Sequence, residues 1–363
     1  MTDDIEHLIA TMQAAMEQRP DYARNLMVLA ETVLSKKHKS RAAEIARRAM
    51  AEGRGDPEIL ARGRHVLAAS LPGYHVSMMN DARRNLAWDK ALRRAILPGM
   101  QVLEIGTGAG MLALMAARAG AGTVITCETN PVAADMAREL AARNGYADRI
   151  QVITKKSQDL VVGVDLERPA DLLFCDIFAD TLFAFNPLSA ISDARQRLLA
   201  ANAPAIPASA SLRVALANWK DYARSGHAEN ACGFDISPFG DFVSPSISMQ
   251  IGTPDLQLLS QPQDAFRFDF AGSDFPLNGR TTCTCKVERD GSANVIARWL
   301  HLGLDDETSL EVRPEPGAIS FSRLTLFPLD RSFQVRAGEE VDLGALYSGS
   351  NLHTWLHTRP GES

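Results

Sequence analysis

No apolar run approaches the ~20 residues that a membrane-spanning helix needs, so no membrane contact is expected. Cysteine is sparse: Cys127, Cys175, Cys232, Cys283 and Cys285 are odd in number and lack the paired spacing of zinc ligands. Cys283 and Cys285 alternate in a strand-like stretch and share a face, but two thiols alone do not make a metal site. A reduced, cytoplasmic protein without a metal fits best. Positive charge is not in excess either. A net charge of −6 argues against general nucleic-acid binding, which needs a basic face to displace phosphate counterions. The Lys- and Arg-rich stretch 36–64 is interrupted by Glu44, Glu52 and Asp56 and reads as a solvated helical face. The opening MTDDIEHLIATMQ has no basic segment leading into an apolar core, so no secretory signal is expected. A hydrophobic content of 46% over 363 residues suits a globular chain of two ordinary domains with a small appendage.

The pattern along the chain divides into three parts. Residues 1–72 are alanine-rich, and Leu26, Leu29, Ala30 and Val33 recur at helical spacing. A KKHKS turn precedes a second helix with Ala42, Ile45, Ala46 and Ala49, and a third helix is expected around 56–69. Helix pairs of this size resemble tetratricopeptide-type repeats, with at most one full unit and a fragment. So short an array is expected to pack on the domain behind it. Residues 73–203 alternate strand and helix: VLEI, MLALMAARAG, TVITCE, PVAADMARELAARNG, IQVIT, DLLFCD and a helix over 187–200. That alternation predicts an α/β domain with a parallel sheet covered on both faces. After Pro204 and Pro207, residues 204–363 carry short β-rich segments such as SLRVALANW, ANVIARWLHLGL, SRLTLFPL and SFQVRAGEEV. They predict an antiparallel barrel or sandwich.

The turn after the first strand, E-I-G-T-G-A-G over residues 104–110, is built on Gly106, Gly108 and Gly110. Glycine there lets backbone approach a ligand at the carboxyl ends of parallel strands. A dinucleotide fold requires its third glycine at position 111, which is Met111, and no lysine follows to hold a triphosphate. Glu128 ends the next strand, where a carboxylate can accept from both hydroxyls of a ribose.

Turn, Glu104 and Glu128 together resemble the S-adenosylmethionine site of class I methyltransferases. The stretch YHVSMMNDARRNLAWDKALRRAI at 74–96 narrows this, because it resembles the helix before the first strand in the protein arginine methyltransferases. The resemblance implies a Rossmann-like methyltransferase domain and a β-barrel domain, with S-adenosyl-L-methionine as cofactor. It maps the pattern M-x-x-D-x-x-R onto Met78, Asp81 and Arg84, placing Arg84 against the cofactor carboxylate. Glu104 then lies near the methionine moiety, Glu128 binds the ribose, and Ser157 and Gln158 of KKSQDL contact the adenine. GFDISPFGDF at 233–242 and SRLTLFPLDRSFQVRAGEEV at 322–341 are similar to later segments of the family. The branch with tetratricopeptide-like helices is the best match. A homodimer through an arm at 218–233 is implied by the resemblance alone.

The sequence departs from the family at the acceptor end. Two glutamates on a hairpin after the fourth strand clamp the substrate guanidinium in the family, and here the segment reads CDIFADTLFAFNPL. Asp176 stands at the first position and Phe185 at the second. Asp180 could supply a replacement carboxylate if the hairpin folds back, which makes Asp176 and Asp180 the candidate catalytic pair. Phe178, Phe183 and Phe185 could instead line a pocket for another acceptor, although Phe178 and Phe183 read more readily as core. The family's later His-Trp pair falls on Phe321 and Ser322, and His353 and His357 of HTWLH read as ordinary terminal residues. Three readings stay open for the methyl acceptor: arginine in a protein or peptide, a less basic nucleophile including a small molecule, or none, the chain being a non-catalytic binding module.

Overall fold

The computed structural model describes residues 2–16, 19–178, 182–183, 186–222, 229–252, 255–276, 278–311, 313–314, 322–349 and 351–358. Four helices come first: α1 (Thr2–Met16), α2 (Tyr22–Ser35), α3 (Lys39–Glu52) and α4 (Pro57–Ser70). The 3.6-residue pattern turns Leu26, Met27, Ala30, Val33, Ile45 and Val66 into a core of their own. Asp56 caps α4 by accepting from Glu58 and Ile59 N–H, with Pro57 in the first turn.

Helices α5 (Tyr74–Met79) and α6 (Ala82–Ala95) lead into a five-stranded parallel sheet. Its strands are β1 (Gln101–Ile105), β2 (Thr123–Cys127), β3 (Ile150–Ile153), β4 (Leu172–Cys175) and β5 (Ala205–Ile206), in the order β3-β2-β1-β4-β5. Between them run α7 (Met111–Ala119), α8 (Pro131–Arg143) and α9 (Pro187–Arg197). Strands β1 and β4 are buried at every position, as an apolar strand covered on both faces must be. The chain direction across the sheet reverses between β1 and β4, which opens a crevice at their carboxyl ends.

The remaining strands are antiparallel. They are β6 (Ser209–Trp219), β7 (Asn230–Ala231), β8 (Phe234–Asp235), β9 (Ile247–Gln250), β10 (Leu256–Leu258), β11 (Gln263–Asp269), β12 (Asn278–Lys286), β13 (Gly291–Gly303), β14 (Ser309–Glu311), β15 (Arg323–Val335), β16 (Glu340–Ser348) and β17 (Asn351–Thr358). One sheet runs β10-β6-β13-β15-β9, with β11 beside β6 and β14 beside β13, and a second runs β12-β16-β17. Val214, Leu216, Ile296, Val341 and Leu343 fill the space between the two. SRLTLFPL and SFQVRAGEEV are not two separate strands up to Val335. They form one strand, β15, whose register against β13 shifts between Ala293 and Val295. The irregularity accommodates Pro328, which cannot donate to a regular ladder.

The β-domain is anchored on α6. Arg94 Nη2 reaches Asp305 Oδ2 at 2.7 Å and also bonds Thr308, while Arg83 Nη2 donates to the Glu311 carbonyl at 3.0 Å. Leu302 and Leu304 at the end of β13 join the core of the parallel sheet. Among the described residues no helix is long and apolar enough to cross a membrane.

Candidate active site

A cavity of about 1000 Å³ lies between the carboxyl ends of β1, β2 and β4 and the facing wall of the β-domain. Gly106, Glu128 and Asp176 line one side, and Ile251, Trp299 and Arg323 line the other.

The glycine turn has φ of +83°, +51° and +81° at Gly106, Gly108 and Gly110, a region that side chains strongly disfavour. Gly106 and Thr107 N–H both donate to the Cys127 carbonyl, at 3.0 and 3.1 Å. A Cβ at Gly106 would collide with Ile177, and one at Gly108 would lie 3.2 Å from His75 Cε1. Gly110 has a different task. It stands behind the turn, where a Cβ would press on Ala137 of α8 at 3.1 Å. Glu128 grips the turn from β2: Oε2 accepts from Gly108 N–H at 2.9 Å and Oε1 from Asn130 N–H at 2.8 Å.

Glu104 is 1% exposed and accepts from Thr126 Oγ1 at 2.5 Å, and Thr126 in turn bonds Thr107. Burial pushes its carboxyl up to about 8; the nearby Glu128 and Asp176 push the same way, while Thr126 and Arg84 oppose.

Arg84 occupies the inner face of α6, four positions before Trp88 and eight before Leu92, so the helical period buries it at 2% exposure. Its neighbours Arg93 and Arg94 point outward and pair with Asp89 and Asp305. Arg84 Nε and Nη2 both donate to Asp176 Oδ2, at 2.8 and 2.5 Å, and Nη1 donates to Asn85 Oδ1 at 2.9 Å. Asp81 caps the helix through Arg84 N–H. Asp176 follows β4 directly and leaves Oδ1 without a hydrogen bond among the described residues.

Met78 is half-buried at the cavity wall. Ser157 is buried and Gln158 exposed on a 3-10 turn (Ser157–Asp159) that Arg197 holds by its contacts to the Gln158 and Leu160 carbonyls, both at 3.0 Å. Asp180, Phe185 and Phe321 lie outside the described residues. Phe183 stacks on Tyr347 with ring centroids 4.5 Å apart, and Phe178 stacks on Phe270 at 5.6 Å, so both rings are engaged in packing.

Residues 89–195 match the ribosomal protein L11 methyltransferase (PrmA) family. Over 284 residues the chain is 33% identical to an arginine N(omega)-methyltransferase from Streptomyces achromogenes subsp. streptozoticus, a span of 78% of either protein. It is 30% identical over 248 residues to protein arginine N-methyltransferase 7 of Drosophila grimshawi, but these are only 35% of that longer protein. The chain belongs to the arginine methyltransferase family. It is a class I S-adenosylmethionine-dependent methyltransferase. The fold agrees with that of a chain in the Trypanosoma brucei PRMT1 enzyme-prozyme heterotetrameric complex with AdoHcy, with a TM-score of 0.68 at 20% identity, covering 79% of this chain and 94% of that one.

The residues at the turn fit such a cofactor: Gly106 and Gly108, both at positive φ, line the cavity where a Cβ would crowd Ile177 and His75. Several cavity residues have no counterpart among those picked out from the sequence. Tyr74 and His75 open α5, and both line the cavity. Burial depresses the His75 imidazole, against the pull of Glu128, and its buried Nδ1 has no partner among the described residues. Burial raises the Tyr74 phenol, with Glu128 and Asp176 adding to it. The signal was the YH pair that begins the quoted helix. Trp299 and Arg323 carried no such signal, since two strands, β13 and β15, bring them in from the β-domain.

Proposed function

We propose that this chain transfers a methyl group from S-adenosylmethionine to a guanidino nitrogen of arginine. The observation that carries the reading is Asp176 Oδ1, which accepts no hydrogen bond among the described residues and is held at the cavity wall while Oδ2 is fixed by Arg84. The 33% relative is named for the same acceptor. In this reading Arg84 and Met78 hold the methionine end of the cofactor beside Glu104. Glu128 accepts from the ribose, and Ser157 and Gln158 border the adenine. Gly106 and Gly108 give the close approach, and Gly110 seats α7.

Bound there, the cofactor would supply a methyl carbon activated by its sulfonium, with a neutral thioether as the leaving group. The guanidinium is protonated at any physiological pH, so the chain must orient it and draw its charge to one side. Asp176 Oδ1 accepts one N–H and holds the charge there, leaving electron density on a nitrogen turned toward the methyl group. Asp180 is the second carboxylate in this reading, and the proton lost from the alkylated nitrogen passes to a carboxylate or to water. The apolar wall of Ile251, Trp299 and Leu302 excludes water from the transfer. The same wall, with Phe185 at the second clamp position, favours a second reading in which the acceptor is a less basic nitrogen or oxygen.

Three units, 1–72, 73–203 and 204–363, are proposed, the first tetratricopeptide-like; its separate core from Ile9 to Val66 supports this. A homodimer through 218–233 is supported by the flanking aromatics Phe234, Phe239 and Phe242, which are 72%, 68% and 83% exposed. Five free cysteines fit the reducing cytoplasm.

Incubation with methyl-labelled cofactor, free arginine and an arginine-containing peptide, followed by acid hydrolysis, tests the main reading. Label in methylarginine is expected. Label confined to other residues or other small molecules would assign the site to the second reading, and cofactor binding without transfer would make the chain a binding module.

A further inference from the structure

Arg323, the first residue of β15, lines the β-domain wall of the cavity and is exposed to it. Like Arg195, which bonds the Phe270 and Ala203 carbonyls, it is held by neutral acceptors. Nε donates to Ser248 Oγ at 2.7 Å and Nη2 to the Ser248 carbonyl at 2.8 Å, both neutral acceptors on the adjacent strand β9. The guanidiniums of Arg84, Arg94 and Arg213 each pair with a carboxylate instead. Among the described residues Nη1 of Arg323 makes no hydrogen bond, and no acid lies within ion-pair distance. Two bonds to Ser248 fix the plane of the fork without neutralising it. A rigid guanidinium of that kind suits a carboxylate, because little rotamer freedom is lost when it binds.

Across the cavity, the parallel-sheet side carries charges of both signs, Arg84, Lys155 and Lys156 with Glu128, Asp159 and Asp176. Asp176 is the carboxylate there whose Oδ1 accepts no hydrogen bond among the described residues. A small acceptor with a cation at one end and a carboxylate at the other would find a matching group at each wall. Pockets for small ligands run from about 300 to 1,000 Å³, so a cavity of about 1000 Å³ can admit a second small molecule beside the cofactor.

We infer that Arg323 binds the α-carboxylate of a free amino-acid acceptor, so that the arginine methylated is the free amino acid and not a residue within a polypeptide. The inference rests on the arginine reading above. A residue inside a peptide has no α-carboxylate to offer, and agmatine has the same guanidine without one. Ser248 is then a positioning residue that acts through Arg323.

The test compares L-arginine, agmatine, arginine amide and an internal-arginine peptide as acceptors for the full chain, by kcat/KM with methyl-labelled S-adenosylmethionine. Binding of each in the presence of S-adenosylhomocysteine is followed by calorimetry. A charge-assisted hydrogen bond is worth enough to expect a roughly ten- to hundredfold preference for arginine over agmatine and the amide. Arg323→Ala should collapse that ratio, Arg323→Lys should restore part of it, and Ser248→Ala should fall between, with the effect in KM and affinity. Equal use of arginine and agmatine by the native chain would overturn the inference while leaving arginine methylation standing. Transfer to the peptide but not to free arginine would do the same. If no guanidine is methylated or bound, the arginine reading itself fails and the inference falls with it.

Discussion

Arg84 and Asp176, 92 positions apart in the chain, meet through two hydrogen bonds that converge on a single carboxylate oxygen, Oδ2. Both are shielded from solvent, with side chains 2% and 12% exposed. The pair fastens α6 to the end of β4 at one corner of the cavity. Breaking a buried pair costs more than the pair contributes, because the surviving charge is stranded.

Asp176→Ala is therefore expected to destabilise the cofactor-free protein by up to roughly 3–5 kcal/mol, the range for breaking a buried pair, lessened by the bond that Arg84 keeps to Asn85. Denaturant unfolding measures it. With saturating S-adenosylhomocysteine the loss should shrink, since the cofactor carboxylate can replace the aspartate at Arg84. A loss of the same size with and without ligand would count against Arg84 as the carboxylate-binding residue.

At the glycine turn, Gly106→Val should abolish cofactor binding, because the site combines a φ of +83° with a Cβ position already taken by Ile177. Glu128→Ala should also remove it, by releasing the Gly108 and Asn130 N–H groups as well as the ribose contact. Calorimetric titration with S-adenosylhomocysteine reads both. Unchanged affinity in both variants would mean the cofactor sits elsewhere.

Glu104 predicts a pH dependence of definite sign. Its carboxyl is raised from an ordinary 4.5 to about 8, so between those values the folded chain holds a proton that the unfolded chain has released. Stability of the cofactor-free protein should fall as pH rises through that window. Glu104→Gln should flatten the slope, as thermal melts from pH 5 to about pH 9 would show. A sulfonium nearby favours the ionised form. Cofactor binding near pH 7 should release protons, and calorimetry in buffers of different ionisation enthalpy would detect them. Binding without proton release would mean that Glu104 does not face the charged end.

The exposed Phe239 and Phe242 bear on assembly. If they are subunit contacts, Phe239→Glu with Phe242→Glu should shift sedimentation from dimer to monomer while each chain keeps its fold. An unshifted profile would place the contact elsewhere.

Much of the cofactor half was legible because its determinants are local. A glycine needing positive φ, an acid at the end of a strand and a proline at the start of a helix each act over a few residues. The β3-β2-β1-β4-β5 sheet follows from alternating apolar strands and helices. Arg84 could be picked out from Arg83, Arg93 and Arg94 only through the motif around it; its burial is settled by the inward face of α6 that it shares with Trp88 and Leu92. That Asp176 lies against Arg84 and not at an isolated acceptor position was not readable, since it depends on packing between segments 92 positions apart.

The far wall of the cavity was less legible still. Trp299 and Arg323 belong to strands and Ile251 to the turn after β9, and their neighbours along the chain say nothing about a ligand. They face the cavity because Arg83 and Arg94 on α6 hold the β13–β14 edge against the parallel sheet. Short-range preferences thus accounted for the elements and the cradle. Docking of one domain on the other, a matter of distant side chains and shared core, set Trp299 and Arg323 across the cavity from the cradle.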